Sequence, residues 1–283
     1  LMDNGNYFAK IDNPQSGKLF LNEVSVTGTE NALILAAAIP EKTIISNAAC
    51  EPHVADLANF LAKMGAEIEG IGTNRLIIKG SKNLSGVSHR IAPDHIEAGT
   101  FAIAAACTGG DLTIHDAVKN DLISTSRVLK GFNVDFEFLD EKTMHVKPSQ
   151  LQSVISKVQV GLWPNFPTDL MSPVIVLATQ AQGATLCHDW MYESRMYFVD
   201  KLNMMGASII QADPHRVIVN GPSPLKGQHL SSPDIRAGIA IIIAAMIAED
   251  ESIIDRVEIV DRGYEDIENR LNSLGANIVR IQD

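Results

Sequence analysis

Three arginines and one aspartate occupy positions where their side chains could act together on a small anion. Arg195 in "YESRMYF" and Arg262 in "VDRGYED" lie where a strand-like stretch passes into a helix-like one, and Arg236 in "PDIRAGIA" opens the most apolar helical stretch. A cation at a helix N-terminus opposes the helix dipole, so these positions do not favour arginine for local stability. Guanidinium groups beside helix N-terminal amides suit a phosphate or a phosphocarboxylate. The pattern predicts an anion site that includes Asp169, and separate surface ion pairs are the alternative interpretation.

An acidic residue stands at or near the front of each strongly apolar helical stretch. Asp169 in "FPTDLMSP" is one of them, and Glu30, Glu97 and Asp234 occupy the equivalent places. A carboxylate at such a position can accept hydrogen bonds from the first backbone amides, which stabilises a helix by about 0.5–2 kcal/mol. Capping would explain the acidic residues as a group, but it would not explain the arginines beside them.

Other residues with reactive side chains carry weaker signals. Cys50, Cys107 and Cys187 are far apart and show no CxxC spacing, so we predict buried free thiols. Glu51 in "CEPHVAD" lies at a predicted helix start, where a capping role and a site role are both open. The eight histidines show no metal-ligand spacing, and we expect no metal and no cofactor.

Four related units predict how these residues are positioned. A glycine follows an amphipathic helix in "KMGAEIEG", "NMMGASII" and "NSLGANIV", and "LKGFNVDF" is a weaker copy; the predicted turn glycines are Gly65, Gly131, Gly206 and Gly275. Glycine there can adopt the left-handed conformation that ends a helix. A β-rich stretch and a nearly all-apolar helix precede each amphipathic helix. Each unit therefore reads helix, strand, helix, strand, which predicts an α/β fold with buried apolar helices and outer sheets.

The number of units predicts the domain organisation. About three such units are expected to close one compact core, so four units leave one domain incomplete. We predict an incomplete first domain over residues 1–92 and a near-complete second domain over residues 93–283, which carries the three arginines.

Composition excludes some classes of partner. The 283 residues are 46% hydrophobic and 20% charged, with a net charge of −11 at pH 7. An acidic surface repels polyphosphates, so we expect no nucleic acid partner. The longest uncharged apolar run, residues 237–248, is shorter than the roughly 20 residues that cross a bilayer, so we expect no membrane partner and a cytoplasmic location.

Several stretches, in order along the chain, resemble the enolpyruvyl transferase family. They include "VSVTGTENALILAAAI", "FPTDLMSPVIVLATQAQG", "YESRMYFVDKLNMMGA" and "VDRGYEDIENRLNSLGANI". The similarity is greatest to the carboxyvinyltransferases that act on UDP-N-acetylglucosamine, and it covers roughly the C-terminal two thirds of such a chain. It implies an inside-out α/β barrel built of repeated helix and sheet units.

The resemblance also implies a reaction. Members of this branch transfer an enolpyruvyl group from phosphoenolpyruvate to the 3-hydroxyl of UDP-N-acetylglucosamine, by addition and then elimination of phosphate, in peptidoglycan precursor synthesis. Asp169 matches the aspartate that acts on the sugar hydroxyl and orients the sugar. Arg195, Arg236 and Arg262 match the arginines that hold the carboxylate and phosphate, and Asp234 would orient Arg236.

Further positions match the family's substrate-binding residues. Ser25, Val26 and Thr27 match the segment that touches the uridine diphosphate, and Met191 matches a position lining the uracil nucleotide site. Glu51 matches an acidic residue that the resemblance places among the substrate-binding positions.

The resemblance leaves the family's N-terminal third without a counterpart in the 283 residues. That third carries a Lys-Asn pair, further arginines and the loop whose cysteine or aspartate donates a proton. We therefore expect the chain to be inactive alone, and pairing across the incomplete first domain is a further expectation. Two alternatives stay open: a non-catalytic nucleotide-sugar-binding paralogue, and 5-enolpyruvylshikimate-3-phosphate synthase, which "FPTD" and "DRGYE" disfavour.

Overall fold

The computed structural model describes residues 2–3, 6–7 and 12–281 of the chain. By its internal contacts the chain divides into two compact units, Leu1–Ala92 and Pro93–Asp283. Among the described residues, none of the helices is both long enough and apolar enough to span a bilayer.

The first unit combines short strands with two helices. In chain order its elements are β1 (Met2–Asp3), β2 (Asn6–Tyr7), β3 (Lys18–Phe20), α1 (Val26–Ala37), β4 (Lys42–Ser46), α2 (Pro52–Met64), β5 (Glu67–Glu69) and β6 (Arg75–Lys79). One sheet has the order β3-β4-β6-β5, in which β3 is parallel to β4 and the other pairs are antiparallel. β1 and β2 form a separate antiparallel pair. From α1 to β6 the order is the predicted helix, strand, helix, strand.

The second unit contains the other three copies of the repeat. Its elements are α3 (His95–Thr108), β7 (Leu112–His115), α4 (Ile123–Gly131), β8 (Phe136–Asp140), β9 (Thr143–Val146), β10 (Lys157–Gln159), α5 (Met171–Gln180), β11 (Gly183–His188), α6 (Val199–Met204), β12 (Ser208–Asp213), β13 (Arg216–Gly221), β14 (His229–Ser231), α7 (Ile235–Ile247), β15 (Ile253–Asp255) and α8 (Ile267–Ser273). Its sheets have the orders β7-β9-β8, β10-β11-β13-β12 and β14-β15. Short 3₁₀ helices at Thr168–Leu170 and Val257–Arg262 precede α5 and α8.

Three apolar helices form the core of the second unit. The side chains of α5 are buried from Met171 to Thr179, and those of α7 from Ala237 to Ala244. α3, α5 and α7 contact one another, and strands such as β7 and β13 pack on them from outside. A helix that is apolar all round is stable only where other elements cover every side. The predicted α/β arrangement, with central helices inside and sheets outside, is confirmed for this unit.

The first apolar helix departs from that prediction. α1 packs mainly against α2 and β6, while Ile34 is 53% exposed and Leu35 is 40% exposed. The prediction that each apolar helix is buried on all sides is therefore wrong for α1. The physical reason is that its described neighbours cover one side, on which Leu33, Ala36 and Ala37 are buried.

The four turns that suggested the repeat share one hydrogen-bond pattern. Gly65, Gly206 and Gly275 have the left-handed backbone that was predicted, but Gly131 lies inside α4 and the left-handed residue of that copy is Asn133. In all four copies the next backbone amide donates to the carbonyl of a leucine five residues upstream: Ala66 to Leu61, Val134 to Leu129, Ala207 to Leu202 and Ala276 to Leu271. This bond satisfies a carbonyl at the end of each helix. The assignment of Gly131 as the turn glycine is wrong because asparagine also tolerates this conformation.

The fourth copy lacks the strands that follow the turn in the other three. Residues 276–281 form no strand, which corrects the prediction that every unit ends in one. Asn272 Oδ1 accepts from the amide of Ile278 at 2.8 Å and its Nδ2 donates to the carbonyl of Ile278 at 2.7 Å. Asn203 makes the same two bonds to Ile209 in the third copy, where β12 is present. This asparagine contact is therefore a feature shared by the third and fourth copies, and it does not depend on a following strand.

Candidate active site

Asp169 lies in the 3₁₀ turn that leads into α5. Its neighbour Leu170 is fully buried and packs against Gly99 of α3, where an added Cβ would lie only 2.6 Å from Leu170 Cδ1. The close approach of α3 therefore fixes Leu170, and the adjacent carboxylate remains 36% exposed. Among the residues that the structure describes, no backbone amide is capped by the Asp169 side chain. The interpretation of Asp169 as a helix cap is wrong, because its carboxylate binds arginine side chains instead.

Two of the three predicted arginines bind the same carboxylate oxygen. Arg236 Nε donates to Asp169 Oδ1 at 2.7 Å, and Arg195 Nη1 donates to the same atom at 3.3 Å. Asp169 Oδ2 accepts no hydrogen bond from any residue that the structure describes. The arrangement leaves one oxygen held by two cations and the other able to accept a proton or a hydroxyl hydrogen bond.

The position of Arg236 is stabilised by Asp234. Asp234 is the N-cap of α7, and its Oδ1 accepts from the amides of Arg236 at 2.8 Å and of Ala237 at 3.2 Å. The acidic cap offsets the unfavourable placement of a cation at a helix N-terminus. Burial lowers the pKa of Arg236, but the hydrogen bond to Asp169 and the nearby carboxylates outweigh burial and raise that pKa overall. Because the Asp234 side chain bonds the backbone amides, it orients the backbone of Arg236 rather than its guanidinium group.

Arg195 lies in the loop between β11 and α6. Its side chain is only 9% exposed, and its guanidinium carbon lies 4.7 Å from the centre of the Tyr192 ring. A guanidinium over an aromatic face gains a cation–π attraction. Met191, in the same loop, is half-buried and packs against the core. Tyr192 was not predicted as a site residue from the sequence, although it stands only three residues before Arg195.

Arg262 is not part of this contact. It is the last residue of the 3₁₀ helix Val257–Arg262, its side chain is exposed, and it forms no hydrogen bond or ion pair with a described residue. That helix packs against α7, where Gly263 allows a close approach of Ile235. The structure thus brings Arg195 and Arg236 to Asp169 and leaves Arg262 unpaired.

A buried tyrosine that the sequence did not single out lies near Asp169. Tyr264, in "DRGYE", is 5% exposed, and its hydroxyl lies 2.9 Å from Thr100 Oγ1 of α3. Burial raises the pKa of Tyr264, and the negative charges of Asp94, Asp169 and Glu97 raise it further. Tyr264 therefore stays neutral and joins the segment after Arg262 to the helix that packs against Leu170.

The predicted diphosphate segment lies at the start of α1 in the first unit. Ser25 is the N-cap, and its Oγ accepts from the amide of Gly28 at 3.0 Å. The first amides of a helix have no intrahelical acceptor, so those of Val26 and Thr27 can bind an anion. Val26 is half-buried and Thr27 is exposed.

Glu51 precedes α2 without capping it through its side chain. Pro52 occupies the first helical position, and only the backbone carbonyl of Glu51 accepts from the helix, from Val54 and Ala55. Glu51 Oε2 is buried without a hydrogen-bond partner in the part of the chain that the structure describes. The capping interpretation is therefore wrong for this side chain, and a site role stays a prediction.

The three cysteines are free thiols, and only Cys187 is fully buried. Burial raises the pKa of Cys107 and raises that of Cys187 to about 12. The pKa of Cys50 is also raised, first by burial and then by the charge of Glu51. A thiol that stays protonated is a poor nucleophile, so none of the three is activated.

Comparison with known proteins identifies related chains. A family model described as EPSP synthase (3-phosphoshikimate 1-carboxyvinyltransferase) matches residues 3–271. A protein from Borrelia garinii subsp. bavariensis named UDP-N-acetylglucosamine 1-carboxyvinyltransferase is 47% identical over 272 residues, which cover 94% of this chain and 64% of that protein. A protein of the same name from Bacteroides thetaiotaomicron is 42% identical, with 98% of this chain and 66% of that protein covered. The chain thus spans about 64% of the length of the first curated relatives that it matches.

Solved structures show the same fold at lower sequence identity. The enolpyruvyl transferase NikO from Streptomyces tendae has a TM-score of 0.80 at 22% identity, over 89% of this chain and 60% of that one. EPSP synthase from Acinetobacter baumannii has a TM-score of 0.74 at 19% identity, over 95% of this chain and 64% of that one. These likenesses establish an α/β fold of the enolpyruvyl transferase type. With the family model matching nearly the whole length, the chain belongs to the EPSP synthase family of enolpyruvyl transferases.

Proposed function

We propose that the chain takes part in the transfer of an enolpyruvyl group from phosphoenolpyruvate to the 3-hydroxyl of UDP-N-acetylglucosamine. The names of relatives that are 42–47% identical support this acceptor. The observation that carries the proposal is the carboxylate of Asp169, whose Oδ1 is held by Arg195 and Arg236 while Oδ2 has no described partner.

Asp169 would bind the acceptor hydroxyl through Oδ2. The proton of the hydroxyl would pass to this oxygen while the hydroxyl oxygen bonds to the central carbon of phosphoenolpyruvate, and the electron pair of the carbon–carbon double bond would take a proton at the methylene carbon from the donor that the resemblance assigns to the family's N-terminal third. Loss of phosphate from the central carbon and of a proton from the new methyl group would then restore the double bond. The two guanidinium groups on Oδ1 fix the direction of the carboxylate before the substrate arrives. In this role Asp169 is both the base and the residue that orients the sugar.

Arg195, Arg236 and Arg262 would bind the carboxylate and phosphate of phosphoenolpyruvate. A guanidinium has five N–H donors, and Arg195 and Arg236 each direct only one of them at Asp169. Arg262 is exposed and forms no ion pair with a described residue, so its whole guanidinium group is available to an anion. Three cations would stabilise the negative charge of the tetrahedral adduct and of the departing phosphate.

The nucleotide part of the acceptor would bind at other predicted residues. The free amides at the start of α1, beside Ser25, suit the diphosphate of the nucleotide, and Val26 and Thr27 supply them. Met191 offers an apolar side chain for the uracil ring. We also propose that the unpartnered carboxylate oxygen of Glu51 binds a polar group of the substrate.

The proposed acceptor gives the reaction a place in the cell. The reaction belongs to peptidoglycan precursor synthesis, on which cell wall biogenesis, cell shape and cell division depend. We propose a cytoplasmic location without nucleic acid or membrane partners.

We further propose pairing of two copies through the exposed face of α1 at Ile34 and Leu35. Sedimentation that gives a monomer at all concentrations would contradict the pairing.

Calorimetric titration tests the acceptor. UDP-N-acetylglucosamine and shikimate 3-phosphate are titrated separately into the chain in the presence of phosphoenolpyruvate. We expect saturable binding of the nucleotide sugar, and weaker binding in Asp169→Asn than in the control Glu67→Gln, whose carboxylate binds Lys79 on the surface of the first unit. Preferential binding of shikimate 3-phosphate would contradict the proposal and favour the 3-phosphoshikimate 1-carboxyvinyltransferase reaction.

Phosphate release tests the activity of the chain by itself. We expect none from phosphoenolpyruvate with the nucleotide sugar present, since the resemblance assigns the proton donor to a segment without a counterpart here. Release that depends on the nucleotide sugar would contradict this expectation and leave the acceptor assignment intact. If the chain binds the nucleotide sugar but releases no phosphate, the same assay on a chain that includes the family's N-terminal third distinguishes an enzyme from a binding paralogue.

A further inference from the structure

Asp189 is a fully buried carboxylate that has no part in the proposed chemistry. It follows β11 directly, and its exposed fraction is 0%. Among the described residues, no lysine or arginine side chain forms an ion pair with it. A buried charge is costly unless hydrogen bonds compensate for the lost water. The carboxylate of Asp189 therefore requires hydrogen bonds from neighbouring groups, and these bonds also hold the neighbouring groups in place.

The carboxylate of Asp189 joins two segments of the chain. Its Oδ2 accepts a hydrogen bond from Thr168 Oγ1, in the turn before α5. Its Oδ1 accepts from the amides of Met191 at 3.0 Å and Tyr192 at 3.4 Å, in the loop after β11. One buried side chain thus fastens the turn before α5 to the loop that carries Tyr192.

The backbone of Asp189 is itself fixed to a sheet. Its amide donates to the carbonyl of His215 at 2.9 Å, and its carbonyl lies 2.8 Å from His215 Nδ1. His215 belongs to the tight turn between β12 and β13, which are paired along their length. The carboxylate therefore has a rigid base from which to position the two segments.

The contacts form a closed ring around the candidate site. Thr168 immediately precedes Asp169, and the Tyr192 ring lies against the guanidinium group of Arg195, which donates to Asp169 at 3.3 Å. We propose that Asp189 is a positioning residue that fixes the separation of Asp169 and Arg195, and through it the affinity of the site for a phosphate-bearing anion. The statement on affinity rests on the proposed function, whereas the statement on geometry does not.

Replacement at Thr168 tests the ring without removing the buried charge. Thr168→Val deletes the hydroxyl at nearly constant volume, and Thr168→Ser retains it. Thr185→Val is the matched control, because Thr185 is 1% exposed and its hydroxyl bonds Ser153, with no described contact to the site. Asp189→Asn is a second variant that keeps the shape and removes the charge.

The first measurement is the nuclear magnetic resonance signal of the Arg195 side-chain Nε–H, assigned by its loss in Arg195→Lys. We expect this signal to shift or broaden in Thr168→Val and Asp189→Asn and to stay in place in Thr168→Ser and Thr185→Val. A general loss of stability would affect the Thr185 control as well. An unchanged Arg195 signal in Thr168→Val would overturn the proposal.

The second measurement is calorimetric affinity for inorganic phosphate. We expect roughly a tenfold loss in Thr168→Val, because the loosened Asp189 carboxylate no longer holds the loop of Met191 and Tyr192 that fixes Arg195. A loss of this size matches one charge-assisted hydrogen bond, and we expect less than a twofold change in Thr168→Ser and Thr185→Val. Unchanged affinity in Thr168→Val would also overturn the proposal. If the unmodified chain binds no phosphate, the proposed function fails, and the Arg195 signal still decides whether Asp189 positions the pair.

Discussion

At the scale of single residues, Asp169 competes with any anionic substrate for the same two guanidinium groups. Arg236 and Arg195 both donate to Asp169 Oδ1, and their charges would otherwise be free for a phosphate or carboxylate. Asp169 and Arg236 are both more than one third exposed, so solvent screens their attraction. The carboxylate is therefore held firmly enough to be oriented and weakly enough to share its arginines with a ligand.

Removing this carboxylate should separate anion binding from proton transfer. We expect Asp169→Asn to bind inorganic phosphate about two- to fivefold more tightly, because a partly exposed ion pair contributes about 0.2–1 kcal/mol that the anion no longer has to displace. Calorimetry measures the change, and Glu67→Gln, which removes a surface carboxylate paired with Lys79 in the first unit, should leave the affinity unaltered. A weaker affinity in Asp169→Asn would show that the arginines depend on Asp169 for their placement.

Arg262 should contribute to binding and not to folding. Its exposed side chain has no hydrogen bond or ion pair among the described residues, so we expect Arg262→Ala to change the free energy of unfolding by less than about 0.5 kcal/mol. The same substitution should lower phosphoenolpyruvate affinity about tenfold or more, since a hydrogen bond to a charged group contributes about 1.5–3 kcal/mol. Urea unfolding and calorimetry give the two values.

Arg127→Ala is the matched control for this comparison, because Arg127 is an exposed arginine of α4. Both arginine variants carry the same loss of net charge. Equal losses of affinity in the two would mean that Arg262 acts only through the overall charge of the chain, and its assignment to the anion site would then be wrong.

At the scale of elements, the sequence predicted the repeat better than its individual turns. Helices α1, α3, α5 and α7 were recognisable from their apolar runs, and their order with the strands followed from the β-rich stretches between them. The turn of the second copy was misplaced because glycine was taken as the marker, whereas the leucine whose carbonyl accepts the closing hydrogen bond occurs in all four copies. Asn133 fills the left-handed position there.

The candidate site could be predicted only in part for a related reason. Residues next to helix starts, such as Arg236 and Asp234, are marked by their local pattern, and the structure places them as neighbours. Asp189 and Tyr264 act through partners that are distant in sequence, Thr168 and Thr100, and no local spacing connects such pairs. Long-range contacts of this kind become visible only when the fold is known.

The segment after α8 should depend on a charge network in place of a strand. Arg280 donates to both oxygens of Asp261 and to both of Glu268, at 2.6–2.8 Å. The hydrogen bond from Arg280 lowers the pKa of Glu268 below its usual value. A carboxyl with a lowered pKa in the folded state contributes stability above its unfolded pKa of about 4.3, and this contribution is lost as the pH falls below that value.

We therefore expect Arg280→Ala to cost roughly 1 kcal/mol of unfolding free energy at pH 7 and less at pH 4, a size typical of partly exposed ion pairs. Urea unfolding at the two pH values measures the difference. In Glu268→Gln the dependence of the arginine's contribution on pH should become smaller, because the titrating partner is gone. A cost for Arg280→Ala that grows on acidification would contradict the assignment to Glu268.

At the scale of the whole molecule, the two compact units differ in the size of their buried cores. The second unit buries three apolar helices, whereas the core of the first is small and includes six alanines: Ala36, Ala37, Ala48, Ala49, Ala58 and Ala66. A smaller unit buries a smaller fraction of its surface on folding and retains less net stability. This difference predicts that residues 1–92 lose their protection from hydrogen exchange at a lower urea concentration than residues 93–283.

Two fully buried aliphatic residues test this separation, one in each unit: Leu33 and Ile241. Each substitution by alanine should cost about 2–5 kcal/mol, because it removes buried methyl groups and leaves a cavity. Measured by hydrogen exchange with mass spectrometry, Leu33→Ala should lower the unfolding midpoint of residues 1–92 alone, and Ile241→Ala that of residues 93–283. If either variant shifts both midpoints equally, the units unfold as one cooperative body, and the stability of the arginine site then depends on the first unit as well.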